Sequence, residues 1–486
     1  MTATSPQPTQ RTWAKAIPQT AKEFPFTPLT VLAGQVPEGL RGILYRNGPA
    51  QLERGGSRVG HWFDGDGAIL AVHFTDAEPK GIYRYIRTNG YLAESKAGKF
   101  LYSNYGMTEP GAIWNFWLRA ISENTPIKNT ANTSVLALPD KLLALWEGGY
   151  PHALDLQSLE TKGLDDLGGL AAKQPYSAHP KVDPRTGEIF NFGVSMGLRP
   201  QLNIYKSDRT GTIRQKAAIA LDGVPIVHSF VLAGQYLVFF IPPLRLNLLP
   251  VIAGVSSYSN SFKWQPEKGT QILVVDRETL EVVSRGETES WFHWHFGDGY
   301  MDADGFVVLD LVRFADFFQT NEYLKEVATG QTHTAAHGTL WQVRLEPRTG
   351  KVKAMQQVVE QDCEFPVVSP HEVGKPWRYT YLAVKRKGTD ISQEWFNSIA
   401  CFDYETGTLT EADLGDNRYP TEPLYATDIL NSEQGWVLTA VYDGKKDASE
   451  VWVFDSNRLD CEPVCRLGLP EVIPIGFHGT WNPAEE

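Results

Sequence analysis

A turn signature that recurs along the chain constrains the fold more than any other feature of the sequence. It consists of a short apolar strand, an acidic residue, a turn rich in Thr, Ser and Gly, and a second strand. The acidic residues that carry it are Asp155, Asp183, Asp208, Asp276, Glu346, Asp403 and Asp455. Several of these turns contain Arg-Thr-Gly or Glu-Thr-Gly, which provide the residue of positive φ that a tight hairpin requires. The signature therefore predicts an all-β fold built from hairpins.

The spacing of the signature favours a β-propeller. From Asp208 to Asp455 the successive intervals are 68, 70, 57 and 52 residues, with a mean of about 62. A propeller blade of four antiparallel strands has a period in this range, whereas a sandwich does not need a sustained period. The 486 residues leave room for seven blades and helical insertions. We expect one domain over residues 26–486, after a partly disordered lead-in over residues 1–25 that begins with a Ser/Thr/Pro/Gln-rich stretch.

The composition excludes several classes of protein. The net charge of −12 lacks the basic field of a nucleic-acid-binding protein, so no nucleic-acid partner is expected. An aromatic content of 12% is too high for a disordered chain. The four cysteines are too few for a disulfide framework in a chain of 486 residues, and no secretory signal is visible. Together these features predict a cytoplasmic protein.

Two segments are unusually apolar, although no run of 18 apolar residues suggests a spanning helix. Gly111–Ile121 (GAIWNFWLRAI) is predicted to be a short amphipathic helix. Tyr236–Gly254 (YLVFFIPPLRLNLLPVIAG) is interrupted by Pro242 and Pro243, which break a regular strand or helix. Two interpretations stay open on the residues alone. The segments either pack in the core or form a patch that dips into one face of a bilayer.

Four of the eleven histidines lie among small, apolar or aromatic residues. His61, His73, His152, His333, His337 and His371 instead lie beside polar or turn residues and are interpreted as structural. The four are His179, His228, His295 and His478. Two of the intervals between them, 49 and 67 residues, lie near the blade period. Because equivalent strands of successive blades line the propeller axis, these imidazoles could converge there and bind a divalent transition metal.

Three glutamates lie in similarly apolar surroundings. Glu147 ends an apolar strand, and Glu364 and Glu422 lie in CEFPVV and TEPLY. A carboxylate in such a run costs several kcal/mol unless it has a hydrogen-bond partner. A metal-bound histidine needs an acceptor for its other ring N–H, which a carboxylate often provides. The alternative is a glutamate that points to solvent at the end of a strand.

The chain resembles the carotenoid cleavage oxygenases, in particular their bacterial apocarotenoid-cleaving members. The matching motifs occur in the same order over nearly the whole chain. They are 44–49 (LYRNGP), 63–67 (FDGDG), 131–133 (ANT), 143–149 (LALWEGG), 163–169 (GLDDLGG), 177–180 (SAHP), 363–368 (CEFPVV) and 477–481 (FHGTW). The resemblance implies a seven-bladed propeller with a helical cap and a non-haem Fe(II) held on the axis by four histidines.

The site residues implied by the resemblance can be named by motif. The iron ligands would be His179, His228, His295 and His478, and Glu147, Glu364 and Glu422 would bond to the last three in that order. Thr133 matches a residue whose methyl group crowds one open iron position. The third ligand departs from the family pattern, because a second histidine, His293, precedes it. His295 is preferred, since it keeps the spacing to Asp298 and Tyr300.

The resemblance implies a dioxygenase that cleaves a conjugated C=C bond of an apocarotenoid or carotenoid with O2 to give two carbonyl products. The central 15,15′ bond, which gives retinal-type aldehydes, is one option. The polyene would lie in a dry tunnel with aromatic walls from Trp146, Trp294 and Phe296, and its position would select the bond. Such a substrate favours peripheral membrane contact through the two apolar segments.

Three alternatives remain at this point. The same fold could cleave intact carotenoids at the 9,10 bonds, or it could perform non-oxidative isomerisation and hydrolysis of a retinoid ester. A metal-free propeller that acts as a binding scaffold is the third. Oxygen dependence distinguishes the dioxygenase from the isomerohydrolase, metal content distinguishes both from the scaffold, and product lengths identify the cleaved bond.

Overall fold

The structure is a computed structural model that describes residues 11–17, 20–74, 78–108, 127–172, 174–196 and 199–484. Strands dominate this part of the chain and begin at Phe24. Up to residue 164 they are β1 (Phe24–Pro28), β2 (Thr30–Gly34), β3 (Gly42–Gln51), β4 (Glu53–Arg54), β5 (Ser57–Arg58), β6 (Asp66–Phe74), β7 (Lys80–Tyr85), β8 (Ser134–Ala137), β9 (Leu142–Leu145), β10 (His152–Leu154) and β11 (Thr161–Leu164).

The middle of the chain continues the same pattern of short strands. Up to residue 314 they are β12 (Lys181–Val182), β13 (Ile189–Ser195), β14 (Gln201–Ser207), β15 (Ile213–Ala220), β16 (Val231–Ala233), β17 (Tyr236–Ile241), β18 (Leu244–Leu246), β19 (Phe262–Trp264), β20 (Thr270–Asp276), β21 (Val282–Thr288), β22 (Phe292–Met301) and β23 (Val307–Phe314).

The remaining strands complete the sheets. They are β24 (Thr339–Glu346), β25 (Lys351–Val359), β26 (Cys363–Val367), β27 (Tyr379–Val384), β28 (Ser398–Asp403), β29 (Thr408–Glu411), β30 (Arg418–Pro420), β31 (Leu424–Thr427), β32 (Gly435–Asp443), β33 (Ala448–Asp455), β34 (Cys465–Gly468) and β35 (Gly479–Pro483). The α-helices in the described residues are α1 (Asn89–Ala97), α2 (Leu248–Ile252) and α3 (Phe317–Thr329).

Seven antiparallel sheets of four to six strands form the blades of the propeller, as the spacing of the turns predicted. From the inner strand outward they are blade 1 (β35-β3-β6-β7-β1), blade 2 (β8-β9-β10-β11), blade 3 (β12-β13-β14-β15), blade 4 (β16-β17-β20-β21), blade 5 (β22-β23-β24-β25), blade 6 (β26-β27-β28-β29) and blade 7 (β30 and β31, then β32-β33-β34-β2). First strands of adjacent blades contact one another, for example β16 with β22 and β22 with β26. This packing places the starts of these strands around a common axis.

Strands from distant parts of the chain close the ring. β35 pairs with β3 in blade 1, where Leu44 is opposite Trp481. β2 pairs with β34 in blade 7, where Val31 is opposite Leu467. Blade 1 therefore has an inner strand from late in the sequence, and blade 7 has an outer strand from early in the sequence. These two exchanges hold adjacent blades together with backbone hydrogen bonds.

Apolar side chains fill the space between neighbouring blades. Every residue of β6 and of β17 is buried, whereas the outer strand β15 alternates between more and less exposed residues. A sheet that packs on both faces needs apolar residues at successive positions, but an outer strand faces water on one side. The apolar run Tyr236–Ile241 is therefore a core strand, as one of the two interpretations of that segment held.

The acidic residues of the turn signature organise the hairpins. Asp276 Oδ1 accepts hydrogen bonds of 2.9 Å from the backbone N–H groups of Glu278 and Thr279. In five of the seven hairpins the residue four positions after the acid has positive φ, and it is glycine at Gly187, Gly350 and Gly407. In the hairpins of Asp155 and Asp276 this position holds Leu159 (φ 55°) and Leu280 (φ 58°) instead. Both leucine side chains are buried, so their packing offsets the backbone strain of about 1 kcal/mol.

Insertions in the blades form the cap. The hairpin β18–β19 with α2 interrupts blade 4, and α3 lies between two strands of blade 5. In α3, Phe317 is fully buried and packs on Phe262 of β19 and on Phe292 of β22. In and after α2, Leu249, Ile252 and Val255 are 77%, 64% and 64% exposed. The segment Tyr236–Gly254 thus begins as a core strand and ends as an exposed apolar turn.

Of the two predicted membrane segments, Gly111–Ile121 lies outside the described residues. In the described part of the chain, no helix has the length and apolar character needed to cross a bilayer.

Thr12–Ala16 forms a 3-10 turn in which Trp13 is fully buried against Trp395. This turn packs on the propeller, while the predicted domain boundary at residue 26 stays a prediction.

Candidate metal centre

The four histidines singled out from the sequence meet at the axis, where first strands begin. His179 and His228 lie in the loops just before β12 and β16, His295 lies within β22, and His478 comes directly before β35. One potential ligand atom from each of the four lies within 4.8 Å of the others. The blades that contribute them are blades 3, 4, 5 and 1. Four blades therefore bring together histidines that are separated by successive intervals of 49, 67 and 183 residues.

The spacing of the ring nitrogens fits a single ion. Nε2 of His228 lies 2.9 Å from Nε2 of His179 and 3.1 Å from Nε2 of His295. Two nitrogens bound at about 2.1 Å from one metal ion lie ~3.0 Å apart at a right angle and ~3.4 Å apart at a tetrahedral angle. The observed distances match the right angle. Neutral imidazoles also suit a first-row divalent transition metal, so the residues present fit such an ion.

Three glutamate carboxylates lie next to the Nδ1 atoms of three of the imidazoles. Nδ1 of His228 lies 2.6 Å from Oε1 of Glu147, and Nδ1 of His295 lies 2.6 Å from Oε2 of Glu364. Nδ1 of His478 lies 2.8 Å from Oε1 of Glu422. A proton on Nδ1 that is donated to the carboxylate leaves the lone pair of Nε2 free for a metal. The pairs are those that the family resemblance implied.

His179 has a different arrangement. Its Nε2 lies 3.9 Å from Oε1 of Glu147, beyond hydrogen-bond range, and its backbone N–H donates to Oγ of Ser177 at 3.0 Å. The resemblance gave this histidine no glutamate partner. The cluster is therefore asymmetric: three imidazoles have a carboxylate within 2.8 Å of Nδ1, whereas the glutamate nearest to the ring of His179 lies 3.9 Å from its Nε2.

Burial sets the protonation of two of the four imidazoles. Burial, followed by the neighbouring imidazoles, lowers the pKa of His179 and of His295 well below the usual value. Both rings are therefore neutral near pH 7, which is the form that binds a metal. Burial also raises the pKa of Glu364 to about 8, and a divalent cation next to His295 would favour the ionised carboxylate.

Glu422 differs from the other two glutamates because it forms a buried ion pair. Nη1 of Arg46 lies 3.1 Å from Oε2 of Glu422, and the same guanidinium donates to the backbone oxygen atoms of Glu422 and Phe477. The N–H of Gly479 also donates to Oε2 of Glu422 at 2.9 Å. Although burial acts in the opposite direction, His478 and Arg46 lower the pKa of Glu422. Arg46 lies in a motif quoted above, but its link to the cluster was not predicted.

Thr133 lies beside the cluster at the start of blade 2. Its hydroxyl donates to Oδ1 of Asn132 at 3.1 Å, and its backbone oxygen accepts from the N–H of His478 at 3.3 Å. Asn132 is held in turn by donating to the backbone oxygens of Phe63 and Gly65. The Thr133 side chain is thus fixed on the wall of the cavity described next.

A mostly apolar cavity of about 260 Å³ opens beside the cluster. His228, His295 and His478 form part of its wall. Of the predicted tunnel residues, Trp146 and Trp294 line the cavity. Trp294 is held in place by a 2.8 Å hydrogen bond from its Nε1 to Oγ1 of Thr320 in α3. The cap thus fixes part of the cavity wall beside the cluster.

Phe296 is not among the residues that line this cavity, contrary to the expectation from sequence. It packs between blades 4 and 5, 4.7 Å in ring-centroid distance from His293. The pairing of β22 is irregular between His293 and Phe296, so simple alternation does not give the direction of side chains there. His293, the rival ligand, is buried in this aromatic group and lies outside the histidine cluster.

Sequence reasoning missed Phe365, which contacts two of the histidines. Its ring stacks on His295 at 5.3 Å and meets His478 at 5.4 Å, and it lines the cavity. Its φ of 56° is unusual for an aromatic residue and for a residue before proline. In this conformation its N–H donates to Oε2 of Glu364. The only signal in the sequence is the position of Phe365 between Glu364 and Pro366.

Comparison with known proteins gives consistent matches over nearly the full chain. The sequence model of the retinal pigment epithelial membrane protein family matches residues 17–483. The apocarotenoid-15,15′-oxygenase of Synechocystis sp. is 31% identical over 458 residues, which is 92% of this chain and 91% of that protein. Resveratrol cleavage oxygenase 1 of Aspergillus fumigatus is 26% identical over 474 residues, 92% of this chain and 91% of that protein.

Solved structures give the same result. The cobalt-substituted Synechocystis apocarotenoid oxygenase has a TM-score of 0.89 and 30% sequence identity, and the match covers 97% of this chain and 98% of that one. The structural likeness thus includes the cap as well as the blades.

Proposed function

The chain belongs to the retinal pigment epithelial membrane protein family, which includes the carotenoid cleavage oxygenases, and on this premise we propose that it is an Fe(II)-dependent dioxygenase. Its substrate would be an apocarotenoid or carotenoid, of which one conjugated C=C bond is cleaved with O2 to two carbonyl products. The observation that carries the proposal is the cluster of four histidines, backed by three glutamates, in the wall of a mostly apolar cavity. The central 15,15′ bond is our preferred position, because the Synechocystis relative is named for it.

The residues that would hold the iron are His179, His228, His295 and His478. When bound, Fe(II) supplies the electron-transfer chemistry that lets O2 react with a C=C bond. Glu147, Glu364 and Glu422 keep the Nδ1 proton on their histidines and fix the orientation of the rings. No carboxylate lies among the proposed ligands, so the full positive charge of the ion would remain at the site.

The cavity wall determines what reaches the reacting atoms. Trp146, Trp294 and Phe365 present ring surfaces beside the cluster, and such surfaces suit a planar polyene. An apolar cavity excludes water and holds an extended chain in one register, so the bond next to the cluster is the one cleaved. Thr133 would narrow the space beside the cluster and leave room for O2 at one position. The reaction balances without a protein acid or base, since both oxygen atoms end in the two carbonyl groups.

The proposal is tested by loading the protein with Fe(II) under argon and then adding O2 together with a panel of apocarotenals, intact carotenoids and resveratrol. We expect two aldehyde products from an apocarotenal, identified by mass spectrometry, only after O2 is added. Product lengths then identify the bond. Equal aldehyde formation under argon, or cleavage of resveratrol alone, would contradict the proposal.

Neighbouring histidines provide a matched pair of variants. His295→Ala is expected to abolish stoichiometric iron binding and at least 99% of the cleavage rate, because it removes a ligand (about 3 kcal/mol or more at ~100-fold). His293→Ala removes an imidazole two residues away that lies outside the cluster, and it should retain iron. Loss of iron from both variants, or from His293→Ala alone, would refute the ligand assignment.

We also propose that the exposed turn at α2 contacts a membrane. Leu249, Ile252 and Val255 project apolar surface into solvent. Nearby, Leu246 and Phe262 of the same insertion line the cavity. A carotenoid dissolves in the bilayer, so an insertion with one side on a membrane and the other on the cavity offers a direct route for it.

A further inference from the structure

One part of the cavity wall is buried and contains a charged group. α3 and blade 6, with the loop that follows β27, contribute Tyr323, Lys385, Trp395 and Phe396, all less than 9% exposed. Trp13 packs behind Trp395 and closes this region from outside. A different part of the wall contains Met196, which is 46% exposed. The cavity therefore has a closed region at blade 6 and a more open region near blade 3.

Lys385 is the buried cation of the closed region. Its side chain is 1% exposed, and its Nζ lies 3.1 Å from Oδ2 of Asp362 and donates to the backbone oxygen of Ile391 at 2.8 Å. Nζ also lies 4.7 Å from the ring centre of Tyr323 and 5.6 Å from that of Phe396. An ammonium group has three N–H donors, and the described residues offer this one two oxygen acceptors. One donor remains beside two rings that line the cavity.

The ion pair with Asp362 does not by itself explain why a lysine is buried in the cavity wall. Asp362 also accepts from the backbone N–H of Gly338 at 2.8 Å, and Nδ1 of His337 lies 3.3 Å from it. The carboxylate thus has other partners, and the ammonium group, which the oxygens of Asp362 and Ile391 stabilise in its buried position, keeps one N–H donor next to the rings of the cavity wall. Because Asp362 balances the charge of Lys385, a ligand carboxylate would be repelled. A neutral oxygen acceptor fits better.

We propose that Lys385 binds the carbonyl or hydroxyl oxygen at one end of the substrate. This inference rests on the proposed function and specifies its substrate class, a polyene with an oxygen at the end that enters the closed region. The hydrogen bond fixes how far the chain reaches past the histidine cluster, so Lys385 determines the register of cleavage as well as affinity.

The test compares Lys385→Met with Lys387→Met, a control two residues away on the exposed surface. Three substrates are used: an apocarotenal with an unsubstituted ring, a ring-hydroxylated apocarotenoid without the aldehyde, and a hydrocarbon of the same length. In Lys385→Met we expect KM to rise about 10- to 100-fold for the oxygenated substrate that uses the subsite. KM for the hydrocarbon should stay within about twofold in both variants. The substrate affected shows whether the aldehyde or the ring hydroxyl is bound.

A second measurement needs no turnover. Under argon, the iron-loaded wild-type protein is titrated with the aldehyde and with the hydrocarbon, and binding is followed by absorption. If the aldehyde is the bound group, its absorption moves to longer wavelength, and this shift is smaller in Lys385→Met or Lys385→Gln. If the ring hydroxyl is bound, the hydroxylated substrate binds about tenfold more tightly than the hydrocarbon.

Two outcomes would overturn the inference. One is an equal change for all three substrates in Lys385→Met, which would show a structural role. The other is equal affinity of the wild-type protein for oxygenated and hydrocarbon substrates. These outcomes are separate from the proposed function. Selective binding under argon with no cleavage after O2 would refute the dioxygenase and leave the subsite intact.

Discussion

At the scale of single residues, the ion pair between Arg46 and Glu422 has the clearest energetic consequence. Both side chains are buried, and Glu422 also holds His478. Removing one partner of a buried pair leaves an uncompensated charge. We expect Arg46→Met to lower the free energy of unfolding by about 3–5 kcal/mol, measured by chemical denaturation. The same variant should bind iron more weakly, because Glu422 is then free to turn away from His478.

The double variant Arg46→Met/Glu422→Gln distinguishes charge from packing. It should be more stable than Arg46→Met alone, since no buried charge is left unpaired. Lys22→Met is the control, because the Lys22–Glu471 pair is exposed and 3.8 Å long, and it should change stability by less than about 0.5 kcal/mol. A double variant as unstable as the sum of its single variants would contradict this account.

The sequence predicted residues of the site where chemistry and neighbourhood agreed. Burying an imidazole or a carboxylate within an apolar run costs free energy unless the group is paired. The apolar neighbours of His478 and Glu422 therefore predict both residues from the sequence alone. Arg46 and Lys385 carry no such signal, because a basic residue in a strand and a lysine at the start of the basic run 385–387 are both compatible with exposed positions. Glu422, the partner of Arg46, lies in blade 7, whereas Asp362 and Ile391, the oxygen partners of Lys385, adjoin strands of its own blade. Both sets of contacts are visible only in the packed molecule.

At the scale of elements, the short helix α2 leads to a prediction about membranes. Burying a leucine or isoleucine side chain contributes about 1.5–3 kcal/mol each. We therefore expect Leu249→Ser/Ile252→Ser to lower the fraction of protein that floats with phosphatidylcholine vesicles at least ~10-fold. Cleavage of a detergent-dispersed apocarotenal should change little, since neither residue lines the cavity.

Ile429→Ser/Leu430→Ser is the matched control for this measurement. These two residues are 46% and 70% exposed in the loop between β31 and β32. They offer comparable apolar surface away from the α2 insertion. An equal loss of flotation in both double variants, or no flotation of the wild-type protein, would show that α2 is not the contact site.

The hairpins show how far the pattern of the elements could be derived from the sequence. Glycine at position four of the turn signature predicted the left-handed residue in the hairpins that contain Gly350 and Gly407. Leu280 takes this conformation as well, although leucine does not favour it. Its side chain packs between blades 3 and 4, and this long-range contact is absent from any local rule. Local propensity gave the turns, and tertiary packing decided the exceptions.

At the scale of the whole molecule, buried histidines outside the cluster make stability depend on pH. Burial lowers the pKa of His61 to about 3, and it lowers the pKa of His73 and His152 to about 4. In the unfolded chain these groups take up protons near pH 6.5. The unfolded state therefore binds more protons below that pH, and stability falls as pH decreases toward 4.

His73 allows this prediction to be measured. We expect acidification from pH 6.5 to 5.0 to cost the wild-type protein about 1–2 kcal/mol more than it costs His73→Leu, by denaturation at each pH. Burial raises the pKa of Asp64 to about 7, which acts in the opposite direction and is common to both proteins. Val72→Ala, a change without a titratable group on the same strand, should shift stability equally at both pH values. An identical pH dependence in His73→Leu and the wild-type protein would refute the prediction.

The number of blades could be predicted from the period of the turns, but the way the ring closes could not. β2 and β35 are short and carry no sequence pattern that names a distant partner. Their pairing is decided by the edges that the first and last sheets leave open. A backbone edge in need of hydrogen bonds is visible only once the other blades are in place.

The closure of the ring also sets a time at which the metal centre can exist. His179, His228 and His295 leave the ribosome long before His478, which immediately precedes the strand β35. Until β35 joins blade 1, the fourth imidazole is absent from the axis and blade 1 lacks its inner strand. A nascent chain can therefore gather three imidazoles but not the complete set. Iron bound by all four would consequently report that the ring has closed.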